Sequence, residues 1–295
     1  MISRSLFLLP TVASGLFLTS AHAVTIYTIG SDNSFYSFDS AAPGTVTQVG
    51  AAGAAAGYVD VDIYGANGAL YAISGSGAGS QINRTTGASS GGWKPNTNPI
   101  TGLVTTFDFN PVADRVRVIS NGGASNYRLQ PDFASAPQTV TTPGAVTVDG
   151  GFSFTSSSAI ARPGVNVMGA AYTNPGNNPS STILYTLSSD GFLNSHTTPA
   201  GTFGNGVAVS PFGLGFTPTG SGFDIDPTGT GYALANVGGV TNLYMIDLTT
   251  GIGTLQGALG NTPGLTFNGL AAVPEPSTAL LGLLGGLALL RRRRM

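Results

Sequence analysis

Cysteine is absent from this chain of 295 residues. Without thiols the sequence excludes disulfide bonds, cysteine-ligated zinc, iron–sulfur clusters and thiolate catalysis. Charged residues are also scarce, at 8% of the chain. The fold must therefore be stabilised by its packed core rather than by covalent links.

Histidine is nearly absent as well, with two in the whole chain. We expect His22 to be removed with a signal peptide, so a hydrolytic triad would have only His196 available. The segment 87–91 matches G-x-S-x-G, but it lies in a Gly/Ser-rich stretch without a strand-to-helix elbow. The sequence therefore argues against a serine hydrolase.

Positive charge is limited too, because residues 24–273 contain six Lys or Arg residues against twelve aspartates. A mildly acidic surface repels phosphate, which argues against nucleic acid as a partner. Abundant Gly, Ser, Thr and Asn indicate a neutral polar surface, which suits a protein surrounded by extracellular polymers.

Residues 1–23 have the features of a secretory signal peptide. Arg4 precedes an apolar run that ends at Leu18, and Ala21 and Ala23 are the small residues that signal peptidase requires. An N-terminal strand or membrane anchor is the alternative, although the run is short for a membrane span. We predict export and cleavage after Ala23.

Residues 274–295 resemble a PEP-CTERM sorting signal. They contain Pro274-Glu275-Pro276, an uncharged run over 278–290, and a terminal cluster of Arg291, Arg292, Arg293 and Arg294. A helix over that run is about 20 Å long, shorter than the hydrocarbon core of about 30 Å. The resemblance implies transient attachment to the inner membrane of a Gram-negative bacterium that makes exopolysaccharide. Cleavage by an exosortase would then place the protein at the cell surface or outside. A permanent C-terminal anchor is the alternative.

Residues 24–273 show an all-β pattern of short β-branched and aromatic runs between turn residues. Segments 59–63, 107–111 and 223–227 start alike, and each is followed by two more strands, with a weaker copy over 169–196. Repeats of about forty to sixty residues are typical of propeller blades. The N-terminal strands lack a first strand and 265–271 supplies a spare one, so we predict a ring of five blades closed by the two ends.

The stretch from Phe107 to Val118, followed by Asn126-Tyr127-Arg128, resembles a bacterial family catalogued as domain of unknown function 4394. The resemblance covers nearly all of residues 24–273. It implies a propeller-like β-domain with no established activity. The weak fourth repeat departs from the pattern, which leaves the blade count open.

Five charged residues and two asparagines cluster in one repeat. They are Asp108, Asn110, Asp114, Arg115, Arg117, Asn126 and Arg128. Arg115 and Arg117 share one strand face, with Arg128 on the neighbouring strand, so their guanidinium groups could bind an acidic sugar. Alternatively, Asp108 and Asp114 pair with these arginines and hold the hairpin together.

Aromatic residues offer a second possible sugar site. Tyrosines recur at matching second-strand positions, which indicates blade packing: Tyr27, Tyr71, Tyr185 and Tyr232. Trp93 lies between Gly92 and Lys94 in a predicted loop, so it is the better candidate for stacking on a sugar at the surface.

Asp60 with Asp62, and Asp224 with Asp226, share a strand face and raise the question of calcium. Neither pair continues into a calcium-loop pattern, so the sequence predicts no metal site and no cofactor. The function predicted is a non-enzymatic binding or structural component associated with exopolysaccharide. A carbohydrate-active hydrolase or lyase that uses aspartates in the central channel is the alternative.

Processing of the tail is directly testable. We expect the wild-type protein to end near Pro276 and to be recovered outside the cell or on its surface. Alanines in place of Pro274-Glu275-Pro276 should leave export intact but trap an uncleaved, membrane-associated form. Alanines at 291–294 should disturb orientation instead. Mass spectrometry of the C-terminal peptide decides, because an intact Met295 on extracellular wild-type protein contradicts the prediction.

Overall fold

The computed structural model describes most of the chain between residues 23 and 274. The described ranges are 23–96, 99–131, 142–176, 179–196, 204–218, 220, 222–260 and 263–274. The predicted signal sequence up to residue 22, with Ala21, and the tail from Glu275 onward lie outside the described residues. Within those ranges, no helix is long and apolar enough to span a membrane.

The described chain forms five sheets, each of which is one blade around a common axis, and in three of them the strands follow one another outward in chain order. The outer strands of blade 1 are β1 (Val24–Gly30), β2 (Phe35–Asp39) and β3 (Thr47–Val49). Blade 2 contains β4 (Tyr58–Tyr64), β5 (Ala69–Ser74), β6 (Gly79–Ile82) and β7 (Ser89–Trp93). Blade 3 contains β8 (Val104–Asn110), β9 (Arg115–Ser120), β10 (Ser125–Leu129) and β11 (Val146–Val148), with a short 3-10 helix at Asn121–Gly123.

Blade 4 differs from the others because it has five strands. They are β12 (Ser153–Thr155), β13 (Val167–Tyr172), β14 (Leu184–Ser188), β15 (Leu193–His196) and β16 (Asn205–Ala208). The additional strand β12 pairs parallel to β16 at the outer edge. The weak fourth repeat of the sequence therefore forms a complete blade.

Blade 5 and the last strand complete the ring. Blade 5 contains β17 (Phe223–Ile225), β18 (Gly231–Val237), β19 (Val240–Ile246) and β20 (Gly253–Ala258). The final strand, β21 (Phe267–Pro274), pairs antiparallel with β1, with Val24 opposite Pro274 and Gly30 opposite Phe267. It is the innermost strand of blade 1 and contacts both β4 and β17. The predictions of five blades and of ring closure by the two ends are confirmed.

Aromatic and aliphatic side chains fill the spaces between neighbouring blades. Between blades 2 and 3, Tyr71, Trp93 and Phe109 belong to one buried cluster, and the rings of Trp93 and Phe109 lie edge to face at 5.9 Å. Between blades 5 and 1, Leu234 packs with Phe267 in a second cluster. Each blade therefore buries both faces, which explains why its inner strands are almost continuously buried.

Two predictions about residues 87–93 are wrong. This stretch is not a linker, because Ser89–Trp93 is the outermost strand of blade 2. Trp93 is not at the surface either, since only 3% of it is exposed and its indole N–H donates to the carbonyl oxygen of Gly77 at 3.0 Å. An outer strand of Ser and Gly has too weak a pattern for its partners to be predicted from sequence.

Ring closure predicts that β21 is essential for stability. Deleting residues 265–295 exposes the inner edge of β1 and removes Phe267 and Leu270, both buried. Two such side chains stabilise by about 3 to 6 kcal/mol, a large part of a typical domain stability of about 5 to 15 kcal/mol. Thermal melting should therefore show a strongly destabilised or unfolded domain. Deletion of residues 275–295 alone is the control, and equal melting of the two truncations contradicts ring closure.

Candidate functional site

The five innermost strands surround a narrow central channel, and at one level each contributes an equivalent position. These positions are Asp62, Asp108, Ala171, Asp224 and Ala271. Their partners on the second strands are Tyr71, Arg117, Tyr185, Tyr232 and Tyr27 respectively. Four tyrosines thus occupy matching places, as the sequence predicts, and Arg117 replaces the tyrosine in blade 3.

Three carboxylates meet across this level of the channel. Oxygen atoms of Asp62, Asp108 and Asp224 lie within 4.8 Å of one another, and all three residues are buried. They line a cavity of about 40 Å³ at the end of the channel where the inner strands finish. The loop after β13 covers this end, because a Cβ atom on Gly65 would meet the carbonyl oxygen of Pro175 at 1.8 Å.

The same carboxylates join neighbouring blades. Asp62 Oδ2 accepts the backbone N–H of Phe109 in blade 3 at 3.0 Å, and Asp224 Oδ2 accepts that of Ala272 in blade 1 at 2.7 Å. Asp108 accepts the backbone N–H of Tyr172 in blade 4. Each aspartate therefore satisfies a buried donor on the next inner strand that no sheet partner reaches.

A fourth buried aspartate lies one step deeper in the channel. Asp60 Oδ2 accepts the hydroxyl of Thr106 at 2.8 Å and the backbone N–H of Phe107 at 3.1 Å. Its Oδ1 accepts the N–H of Val61. Asp60 is thus fully engaged in joining blades 2 and 3.

Burial dominates the electrostatics of these groups. It raises the pKa of Asp60 to about 8 and that of Asp224 to about 7. Burial also raises the pKa of Asp62 and of Asp108 well above its usual range, and the nearby carboxylates add to both shifts. Negative charge at this level of the channel therefore needs a proton or a cation to neutralise it.

This geometry does not suit the hydrolase that was the alternative from sequence. A cavity of about 40 Å³ has room for about three water molecules, which is too little for a sugar ring. Glycosidases need two carboxyl groups about 5 to 9.5 Å apart in a site open to the sugar. The channel aspartates line a cavity too small for a sugar and already accept backbone N–H groups of neighbouring blades.

The opposite end of the channel is wide, and we call it the axial mouth. It has a volume of about 400 Å³ and is lined by the starts of the inner strands and by the turn between β1 and β2. The lining residues are Ile29, Gly30, Ser31, Asn33, Tyr58, Val59, Thr105, Met168, Gly220 and Asn268. No charged side chain lines it among the described residues. Ser31, Asn33 and Asn268 are exposed, so their polar groups are accessible to a ligand.

The predicted arginine cluster forms, but its partner is a residue that the sequence did not indicate. Arg117 Nη1 and Arg128 Nε both donate to Asp149 Oδ2, at 2.6 and 2.7 Å. Arg117 also bonds to Asn126 and to the hydroxyl of Tyr172 in blade 4. Arg117 and Asp149 are almost completely buried, so they join two blades and Arg117 is not accessible to a ligand, whereas the Arg128 side chain is 37% exposed.

The remaining members of the predicted cluster have separate roles. Asn110 accepts backbone N–H groups in the turn after β8, and Arg115 Nη1 donates to the carbonyl oxygens of Ala113 and Asp114. Asp114 Oδ1 accepts the hydroxyl of Tyr64 at 2.5 Å. The alternative from sequence, in which Asp108 and Asp114 pair with these arginines, is therefore wrong: Asp108 faces the channel and Asp114 contacts blade 2.

His196 is part of the packed core of blade 4. It is fully buried and its Nε2 lies 2.9 Å from the hydroxyl of Thr186, while Phe152 packs edge to face against its ring. Ser89 of the G-x-S-x-G match is exposed in β7, in another blade. The two residues therefore do not form a catalytic pair.

A family model matches residues 25–271, the whole of the five-bladed ring apart from its ends. The model is described as Domain of unknown function (DUF4394). The chain belongs to this family. Its membership confirms the resemblance seen in the sequence, and the fold described above is that of a DUF4394 domain. Curated proteins include no match to the sequence.

Solved structures resemble the chain only distantly. A nidogen/laminin complex aligns with a TM-score of 0.48 at 8% identity, over 85% of this chain and 98% of that chain. A putative 6-phosphogluconolactonase from Bacteroides uniformis aligns with a TM-score of 0.39 at 14% identity, over 83% and 99%. Kuenenia stuttgartiensis hydrazine synthase gives 0.38 at 12% identity, over 67% of this chain and 48% of that chain, so the DUF4394 chain spans about half its length. Likeness at this level says nothing about what the chain binds.

The arginine cluster gives a stability prediction. Arg117→Ala leaves the buried Asp149 with Arg128 alone and removes the bond to Tyr172, so we expect a loss of about 3 kcal/mol in unfolding free energy. Arg115→Ala is the matched control, because Arg115 bonds only backbone carbonyl groups. Thermal or urea unfolding measures both. Unchanged stability of Arg117→Ala together with lost binding of an acidic glycan would instead indicate a ligand site.

Proposed function

We propose that this DUF4394 protein is an exported, non-enzymatic binding component associated with extracellular polysaccharide, and that the axial mouth holds a neutral sugar unit. The observation that carries the proposal is the contrast between the two ends of the channel. One end is narrow, acidic and covered, whereas the other is wide, uncharged and open.

The size of the mouth suits a sugar. A volume of about 400 Å³ falls within the range of small-molecule sites, which is about 300 to 1,000 Å³. One or two sugar units fit such a space, and the rest of a polymer can extend into solvent because the mouth lies on the surface.

The chemistry of the lining supports an uncharged ligand. Hydroxyl and amide groups of Ser31, Asn33 and Asn268 can both donate and accept hydrogen bonds, as sugar hydroxyl groups do. Tyr58 is half-buried at the wall and offers an apolar ring for the face of a sugar. An acidic sugar would meet no cation among the mouth residues.

The backbone around Asn268 is held firmly, which favours a preformed site. The hydroxyl of Thr28 donates to the carbonyl oxygens of Asn268 and Gly269, at 3.0 and 2.7 Å. A ligand that bonds to Asn268 therefore loses little binding free energy to ordering of the chain.

Location outside the cell supports the same function but comes from the sequence alone. The signal peptide predicted to end at Ala23 would direct export, and the tail with Pro274-Glu275-Pro276 would give temporary membrane attachment followed by release. A neutral surface poor in charge suits a protein that works among polysaccharide chains.

Glycan binding tests the proposal. The purified protein should bind neutral hexose oligosaccharides on an array and in calorimetry, without turnover and with weaker binding of uronate oligosaccharides. Asn268→Ala should weaken binding about tenfold, as expected for the loss of about 1.4 kcal/mol of hydrogen bonding. Gln256→Ala removes another exposed amide, on β20, and is the control. Hydrolysis products, or equal affinity of Asn268→Ala and wild type, contradict the proposal.

A further inference from the structure

The acidic end of the channel has the dimensions of a cation site. In calcium sites, oxygen ligands lie about 2.3 to 2.6 Å from the ion, so two ligands on opposite sides are about 4.6 to 5.2 Å apart. The oxygens of Asp62, Asp108 and Asp224 lie within 4.8 Å of one another. Because the three oxygens are no more than 4.8 Å apart, an ion between them is at most about 2.8 Å from each, and small side-chain rotations bring all three to the calcium distance.

A second observation comes from Asp114, which lines the same cavity. Only 5% of it is exposed, and its backbone has a positive φ of 51°, which is uncommon for a residue with a side chain. Its Oδ1 accepts the Tyr64 hydroxyl, but its buried Oδ2 has no hydrogen-bond partner among the described residues. Burying such an oxygen without a donor is unfavourable, and a cation would remove the penalty.

Basic side chains do not neutralise this cavity. No Lys or Arg lines it within the described ranges. Arg115 is the nearest in sequence, yet its guanidinium donates to carbonyl oxygens, and Arg117 bonds to Asp149 and Tyr172 instead. The carboxylates accept backbone N–H groups, but no basic side chain of the cavity lining balances their charge.

The donors also define which ion fits. Carboxylate oxygens alone, without histidine or cysteine, favour hard cations such as calcium and magnesium over zinc or copper. The cavity of about 40 Å³ has room for one ion and a small number of water molecules that complete its coordination.

We propose that Asp62, Asp108 and Asp224 bind one divalent cation, calcium in preference to magnesium, on the axis of the propeller, and that Asp114 at the wall of the same cavity bonds to water held by the ion. The ion ties together blades 2, 3 and 5, which are not all adjacent in the ring. This site lies at the opposite end of the channel from the axial mouth, so the two proposals stand or fall separately.

Calcium titration of the purified protein tests the site. After treatment with EDTA and removal of the chelator, calorimetry should show one calcium per chain, with weaker binding of magnesium. Calcium at a hundredfold excess over its Kd should raise the melting temperature by about 5 to 10 °C. Absence of both heat and a melting shift with calcium, magnesium and manganese overturns the proposal and means that protons alone neutralise the cluster.

Two variants and a control make the test specific. Asp114→Asn keeps an amide oxygen that can accept the Tyr64 hydroxyl, so it should fold normally and bind calcium at least tenfold more weakly. Asp224→Asn keeps an acceptor for the Ala272 N–H and should have a similar effect. Asp247→Asn changes an exposed aspartate of blade 5 and should bind calcium as the wild type does. Wild-type affinity in both Asp114→Asn and Asp224→Asn would place any bound calcium elsewhere and overturn the assignment.

Discussion

The hydrogen bond from an inner-strand aspartate to the backbone of the next blade is the contact on which the ring depends. The innermost strand of a blade has one edge without a sheet partner, and burial at the axis denies that edge water. Carboxylates of Asp62, Asp108 and Asp224 accept one such N–H each, in blades 3, 4 and 1. These side chains thus take the place of the missing strand partner, and they connect neighbouring blades that belong to different sheets.

Joining the blades through aspartates concentrates carboxylates in the buried channel, where burial disfavours their charged form. The two ends of the channel differ as a result. Asp62, Asp108 and Asp224 lie at one end, with Ala171 and Ala271 at the equivalent inner positions of the other two blades. Towards the start of the inner strands the lining changes to hydroxyl and amide groups around a wider opening. One channel therefore provides both the structural centre of the ring and an accessible surface.

Much of the architecture was predictable because blade repeats carry strong local patterns. Alternating apolar residues and turn signals predict the three inner strands of each repeat and the completion of blade 1 by β21. The short outermost strands were missed, since Ser- and Gly-rich stretches such as Ser89–Trp93 have little pattern. Partners far apart in sequence were also hidden. Asp149 is 32 residues after Arg117 in the chain and lies outside the hairpin that contains Arg117. Alignment of the repeats by their first aspartate would match Asp60 with Asp108, whereas the structure places Asp62 at the position equivalent to Asp108.

The pairing of Val24 with Pro274 places the two ends of the ring side by side. Both residues lie at the end of the channel where the inner strands finish, which is the covered, acidic end. The chain therefore enters and leaves the ring side by side on one face. If the proposed tail holds the protein at a membrane, that face is turned towards the lipid and the axial mouth points directly away from it. A polymer in the surrounding matrix could then reach the mouth before the protein is released as well as after.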